Sequence, residues 1–363
     1  MIYLDNAASG LPDRETADFF REALMKNGAN QEAAHKAGYL LRKEISLAGE
    51  RLSRALTGSK DYSVIWCGSA TEAFHIFSHC SGSGKKVVSS ALEHPALSAA
   101  LNRCASSGEL RLLRPDNTTG QLTVPAEPFA CDIAAFHLVQ SETGIIQDTE
   151  KLFSHFPDAV HFLDAVQGAG KLNIPCKQAH IIAVSGNKFG VPGIAALLVS
   201  PHWQGAEKFC LKAEKMRKEE DLIGRVQPSA VLTCAFAADR FSKKIDHCRE
   251  KITKLNQFLR KTCPALGLVP TIPEEYASAY ILHLTARGYQ GGVLVRMLSE
   301  EGILLSSGSA CASETREPSK TLTALGFNRQ DAYAGLRISF DHSSTEEDVK
   351  NLLSSLEKVL KKY

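Results

Sequence analysis

No C-x-x-C pair occurs in this chain of 363 residues, although it carries ten cysteines. Their scatter excludes the ligand spacing of a structural zinc site, and in a chain of this length it argues against a disulfide framework. Most are expected as small buried apolar residues, Cys248 on a helical stripe among them. No apolar run approaches the roughly 18 residues that a bilayer span requires, and Asp5 interrupts the stretch that a signal peptide would keep apolar. Charge of one sign is not in excess: 42 Lys and Arg against 40 Asp and Glu leave a formal net charge of +2, which gives no reason to expect nucleic acid or membrane binding. A cytoplasmic protein is expected. Internal repeats and low-complexity linkers are missing. Gly84-Lys85-Lys86 lacks the preceding glycine and following Ser or Thr of a phosphate-binding P-loop, so a nucleotide reading is discarded.

What is present is a globular composition, 44% hydrophobic and 23% charged, in a chain long enough for a core domain and a smaller one. Short apolar runs at 62–66, 86–90, 110–113, 133–139, 160–163, 181–185 and 195–199 alternate with amphipathic stretches. This predicts an α/β fold, a largely parallel seven-stranded sheet covered on both faces by helices, with a ligand at the carboxyl ends of the strands. From Phe241 through Ile245, Cys248, Ile252, Leu255 and Leu259, apolar residues recur at spacings of three or four, so one helix is expected over 240–259, opening a second domain. Strands at 278–284 and 335–340, a helix at 291–300 and a terminal helix at 345–361 complete that smaller α+β domain. Ser344 and Glu347 read as the capping box of the last helix. The mixed run 207–221 is expected as a solvated face. The division is 15–239 for the large domain and 1–14 with 240–363 for the small one.

Several residues are candidates for chemistry. Lys188 follows the apolar run 181–185 and sits among Gly186, Gly190 and Gly193, a setting in which a partly desolvated amine can form a Schiff base with a carbonyl cofactor; the alternative is a solvated surface lysine. Asp164 ends the run 160–163, placed to pair with the ring nitrogen of pyridoxal phosphate. Gly68-Ser69-Ala70-Thr71 opens a helix whose amides and Thr71 hydroxyl can cradle a phosphate, or it is an ordinary helix cap. Arg337 lies in an otherwise apolar strand and demands an anion, either a ligand carboxylate or an internal ion pair. Cys311, flanked by Ser307, Gly308, Ser309, Ala310, Ala312 and Ser313, reads as a thiol on an exposed loop.

In order along nearly the whole chain come Tyr3-Leu4-Asp5-Asn6-Ala7-Ala8, Gly68-Ser69-Ala70-Thr71-Glu72-Ala73, Glu93-His94-Pro95-Ala96, Glu142-Thr143-Gly144, Asp164-Ala165-Val166-Gln167, Lys188-Phe189-Gly190, Ser307-Gly308-Ser309-Ala310-Cys311-Ala312-Ser313 and Leu336-Arg337-Ile338-Ser339-Phe340. This series resembles the cysteine desulfurases of the class V, fold type I family of pyridoxal phosphate enzymes. The resemblance implies a homodimer that converts L-cysteine to L-alanine, with Lys188 holding the cofactor, Cys311 accepting sulfur as a persulfide and His94 stacking on the ring and shuttling protons. It further implies that Ala70, Thr71, Ser141, Asp164, Gln167, Ser185, Asn187 and Gln227 contact the cofactor, and that Asn30 and Arg337 hold the substrate. By composition alone, His94 is equally a structural histidine and Gln167 a helix-start residue. The 25 residues between Cys311 and Arg337 resemble the long loop of the group that hands sulfur to protein acceptors.

Three departures stand out. Asn187 replaces the family's His before the lysine, Ser141 replaces Asn before Glu-Thr-Gly, and Arg225-Val226-Gln227-Pro228 replaces Arg-x-Gly-Thr, whose threonine reaches the partner subunit's cofactor. The family's Pro-Ser-Ser after the early asparagine is here Gln31-Glu32-Ala33. The remaining readings are a selenocysteine lyase or another class V aminotransferase or lyase, and a non-catalytic homologue that scaffolds sulfur assembly, iron-sulfur cluster assembly being one destination of the sulfur.

Overall fold

The computed structural model describes residues 1–126, 129–218, 224–308 and 317–363. Twelve strands are present among them: β1 (Ile2–Tyr3), β2 (Ser63–Cys67), β3 (Lys86–Ser90), β4 (Glu109–Leu113), β5 (Ile133–His137), β6 (Val160–Asp164), β7 (Ile181–Ser185), β8 (Ala195–Val199), β9 (Leu268–Pro270), β10 (Ile281–Ala286), β11 (Ile303–Leu304) and β12 (Gly335–Ser339). Seven form one sheet in the order β2-β8-β7-β6-β5-β3-β4. The pairs β3/β4, β3/β5, β5/β6 and β6/β7 are parallel, and only β8 runs against its neighbours β2 and β7. This is the expected α/β sheet.

Its strands are buried on both faces, which is why they read as continuous apolar runs without alternation. Ile182 and Val184 of β7 join Phe136 and Leu198 in one core, beneath the helices Lys36–Thr57 and Pro228–Ser242. Ile181 and Ala183 join Ala135 and Phe162 in a second core on the opposite face, beneath the helices Ala70–Ser81, Pro95–Cys104 and Ala206–Lys218. The last of these carries residues 207–218 of the mixed-charge run, the rest lying outside the described residues, and it buries Phe209, Ala213 and Met216, so only part of its surface is solvated. A separate core surrounds the antiparallel sheet β12-β10-β9 and the helices Ile245–Thr262, Gly291–Glu300 and Glu346–Lys362. No helix among the described residues is long and apolar enough to cross a membrane. None of the nine described cysteines is in a disulfide, and Cys67, Cys80, Cys104, Cys234, Cys248 and Cys263 are buried, so they act as small apolar residues.

Three local expectations are corrected. The stripe over 240–259 belongs to two helices, Pro228–Ser242 and Ile245–Thr262, separated at Lys243 and Lys244. Phe241 and Ile245 are four residues apart, so the period runs through the break, but Phe241 packs against the large-sheet core and Ile252, Leu255 and Leu259 against the small one. The strand expected over 278–284 begins at Ile281, because Ser278 donates its amide to Gly144 at 2.8 Å. The terminal capping box is Thr345 with Asp348, one residue beyond Ser344 and Glu347. The Ser344 hydroxyl instead accepts from the Asp341 amide at 3.1 Å, which spends it in the preceding turn. Thr345→Ala is therefore expected to destabilise the fold by about 1 kcal/mol, read as a lower denaturation midpoint; an unchanged midpoint would show that this cap is dispensable.

Candidate active site

Five segments converge at the carboxyl ends of the parallel strands. Residues following β2, β3, β5, β6 and β7 line one cavity of about 240 Å³, together with Ala7 and Ala8 of the amino-terminal segment and Arg337 of β12. The lining includes Ala70, Thr71, His94, Ser141, Asp164, Gln167, Ser185, Asn187, Lys188 and Arg337.

Lys188 reaches the cavity because β7 ends in the tight turn Gly186–Phe189. A Cβ on Gly186 would stand 2.3 Å from Ile194 Cγ2, so only glycine permits the turn to pass this close to the strand that follows. The Lys188 amine donates to the carbonyls of Ala7 at 2.7 Å and Ala8 at 2.6 Å. Burial, then the neighbouring cations Lys171 and Arg337, pull it down to about 7, outweighing the pull of Asp5 and Asp164 in the other direction. Lys171 is itself buried and lowered to about 8, chiefly by burial.

Asp164 closes β6, 8% exposed, its Oδ1 accepting from the Val166 amide at 2.9 Å. Burial pushes its carboxyl up to about 7, since the one backbone hydrogen bond and the cations His137 and Lys188 do not outweigh lost hydration and the Glu93 charge. Gln167 donates from Nε2 to the Ala7 carbonyl at 2.8 Å, while its Oε1 is buried without a partner. Asn187 Oδ1 is likewise buried and unpartnered, and the Asn187 carbonyl accepts from Gly10 at 2.7 Å. His94 begins the helix Pro95–Cys104, and its Nδ1 accepts from the Ala96 amide at 3.2 Å. Burial and then Lys188 hold the imidazole below its ordinary value, so the neutral ring carries its proton on Nε2.

At the helix Ala70–Ser81 the cap is Ser69, whose hydroxyl accepts from Glu72 at 3.1 Å, while Glu72 accepts from Gly68 at 2.6 Å. Both readings of that segment thus meet here: Ser69 caps the helix, and Ala70 and Thr71 bring its first turn, with the amides that no helix satisfies internally, to the cavity wall.

Arg337 is 2% exposed and does have an internal anion: Nη2 donates to Asp5 Oδ1 at 2.6 Å. Nη1 donates to the Ser141 carbonyl at 3.0 Å, and Nε is buried with no partner among the described residues, so the guanidinium keeps unused N–H donors. The Gln140 side chain is committed to its own turn, its Oε1 accepting from the Glu142 and Thr143 amides at 2.7 and 2.6 Å.

Asn30 and Gln227 are exposed and do not line the cavity. Asn30 caps a local turn by accepting from the Glu32 amide at 3.0 Å. Gln227 precedes the helix Pro228–Ser242, and its neighbour Arg225 donates to Glu32 at 2.7 Å, tying the two outlying segments together. Cys311 lies outside the described residues. Sequence reasoning gave no role to Ala7 and Ala8, whose carbonyls hold Lys188, nor to His137, hidden inside an apolar strand run. A charged or polar residue at the carboxyl end of a buried strand was the available signal for the latter.

A pyridoxal phosphate fits this lining on three counts: an amine that burial brings down to about 7, a buried acid in the same cavity, and polar atoms on Gln167, Asn187 and Arg337 with no partner among the described residues. The neutral amine predominates above its own pKa. Acylation of Lys188 in the cofactor-free protein should accordingly rise through a midpoint near pH 7, whereas a midpoint near the ordinary lysine value of about 10.4 would contradict the burial argument.

Against known proteins, residues 2–352 match the family model for aminotransferase class-V. The chain is 26% identical to cysteine desulfurase IscS of Acinetobacter baumannii (strain AYE), over 97% of this chain and 91% of that protein. It is 23% identical to cysteine desulfurase NifS of Azotobacter vinelandii, over 97% and 90%. Among solved structures, the NifS-like protein from Rickettsia africae ESF-5 superposes with a TM-score of 0.83 at 21% identity over 99% of each chain. The apo cysteine desulfurase from Thermococcus onnurineus NA1 superposes with a TM-score of 0.82 at 18% identity, over 100% of this chain and 95% of that one. At these identities the structural likeness carries the fold. With the family model matching from residue 2 to residue 352, the chain belongs to the class-V aminotransferase family, whose members are pyridoxal phosphate enzymes.

Proposed function

We propose that this protein is a cysteine desulfurase that converts L-cysteine to L-alanine and hands the sulfur onward from Cys311 as a persulfide. The observation that carries the reading is the neutral-tending Lys188 amine in one cavity with Asp164, His94 and Arg337, whose Nε has no partner among the described residues. Relatives named cysteine desulfurase over nearly the full chain support the same substrate.

In this reading Ala70 and Thr71 hold the cofactor phosphate, Asp164 pairs with the ring nitrogen, His94 stacks on the ring, and Ser141, Gln167, Ser185 and Asn187 satisfy its remaining polar edges. When bound, pyridoxal phosphate supplies an electron sink for charge developing on the substrate. Arg337 takes the substrate carboxylate at Nε while Asp5 and Ser141 keep the guanidinium in place. The Lys188 amine takes the α proton, a transfer suited to a group poised near neutrality. The Cys311 thiolate attacks the substrate sulfur: an S–S bond forms as the Cβ–S bond breaks, the bonding pair stays with carbon, and carbon then takes a proton that His94 manages.

A homodimer belongs to the same proposal. Met25 is 82% exposed and Tyr39 59%, large apolar surfaces that a second copy would cover. Asn30 and Gln227, outside this chain's own cavity, would then serve the partner's site. A protein sulfur acceptor and a cytoplasmic setting are part of the proposal too. So is the division into 15–239 and 1–14 with 240–363, supported by the separate core of the small sheet.

The test is an absorbance spectrum of the purified protein before and after L-cysteine, with alanine and sulfide assayed in the same tube. A yellow protein whose spectrum shifts and which yields alanine is expected. Turnover of selenocysteine alone would point to the lyase, and a protein that stays colourless with added pyridoxal phosphate would point to the scaffold. Cys311→Ser should abolish sulfur release and leave the cofactor spectrum intact; full retained activity removes Cys311 from the mechanism. Lys188→Ala should abolish the lysine-linked absorbance, and an unchanged spectrum would refute its role.

A further inference from the structure

One buried pair at the back of the cavity has no part in the scheme above. β5 and β6 run parallel with His137 opposite Asp164, so these two strand-end residues stand side by side. Alternation along each strand puts both on the face that carries Ala135 and Phe162, the face of the helix Ala70–Ser81. Glu93, in the connection after β3, reaches across to them. Its Oε1 accepts from His137 Nδ1 at 2.9 Å and from the His137 amide at 3.2 Å. The side chains are 3% and 1% exposed, so this is a buried contact, and an ion pair when His137 is protonated. His137 is among the residues lining the same cavity as Asp164, and its Nε2 is buried with no hydrogen-bond partner among the described residues. A buried imidazole clamped on one nitrogen and bare on the other has a missing neighbour at its free end.

The charged groups that bear on His137 are Glu93 from the β3 connection and Asp164 from β6. Burial alone would pull the imidazole down, but the Glu93 charge and hydrogen bond, then Asp164, outweigh it and hold His137 above its ordinary value. Asp164 in turn is pushed toward its neutral form by Glu93, and the His137 and Lys188 charges offset that push. We propose that His137, clamped by Glu93, is a positioning residue that stores a proton beside Asp164 and thereby keeps the Asp164 carboxylate ionised for a protonated ring nitrogen. The proposal rests on the assignment of Asp164 to the cofactor ring, and it is independent of which amino acid is the substrate.

The sign follows from the Asp164 equilibrium. The carboxylate is lost as pH falls through its pKa, and removing a neighbouring cation moves that point to higher pH. The holoenzyme and His137→Gln are compared for cofactor retention after dialysis across a pH series, read by absorbance with no L-cysteine present. The acid limb of retention should move up by about one pH unit in His137→Gln, with cofactor affinity weakened about tenfold on the acid side of that limb. Asp164→Asn should remove that limb, and adding His137→Gln to it should shift nothing more. A limb that stays in place while only thermal stability drops would overturn the proposal, as would an equal loss of affinity in the Asp164→Asn background. If His137→Gln does not fold, His137→Asn repeats the test. The nitrogen-15 spectrum of the wild-type histidines needs no variant: His137 protonated on both nitrogens at pH 7 is expected, and a neutral His137 overturns the assignment. Because retention is read without substrate, a failure to form alanine leaves this test intact.

Discussion

In-register parallel pairing of β5, β6 and β7 is the constraint on which the cavity depends. Ala135 pairs with Phe162, His137 with Asp164, and Asp164 with Ala183 on the next strand, so β5 and β6 end at one level and β7 runs two residues further to Ser185. A slip of one residue in any of them would turn its terminal polar side chain to the other face. Register is held by the apolar residues behind the ends: Ile181, Ala183, Phe162 and Ala135 fill one face, and Ile182, Val184, Leu163 and Phe136 the other. The packing that stabilises the sheet thus also sets the distances between groups of chemistry.

The second constraint is the amino-terminal segment. β1 pairs with β11, and Asn6 and Ala7 are held by Ser339 of β12 at 3.0 and 2.9 Å, which anchors the segment to the small sheet. From there it crosses to the large sheet, where the Ala7 carbonyl accepts from both Gln167 and Lys188. Asp5 neutralises Arg337 along the way and is fixed by the Ser306 hydroxyl at 2.8 Å. A buried guanidinium without this partner would be strongly unfavourable, and the pair settles where Arg337 stands before any ligand arrives.

The electrostatics follow from burial more than from ion pairing. Lys188 and Asp164 are each shifted toward neutrality mainly by lost hydration, and both end near 7. An amine and an acid that exchange protons at the same pH form a site in which small changes in neighbouring charge alter protonation. That sensitivity gives Lys171, Glu93 and His137 their importance, although none of them was picked out as a site residue in the sequence.

The seven strand runs, the helical covering and the polar residues at strand ends were legible in the sequence because buried parallel strands are continuous apolar runs and chemistry-bearing residues interrupt them. Lys188, Asp164, His94 and Arg337 could therefore be selected before any coordinates. The break at Lys243 and Lys244 could not, since the apolar period continues through it, and neither could the one-residue shift of the last cap, because Ser344 and Thr345 are chemically alike. The sequence by itself determined the element types, the motif order and which residues are candidates for the chemistry, all of which are local. Only the tertiary structure decided that Asp5 is the anion of Arg337, that Ala7 and Ala8 hold the lysine, and that Asn30 and Gln227 stand outside the chain's own cavity. These relations join residues far apart in sequence, and the packing of two sheets against one strap sets them, which no local pattern encodes.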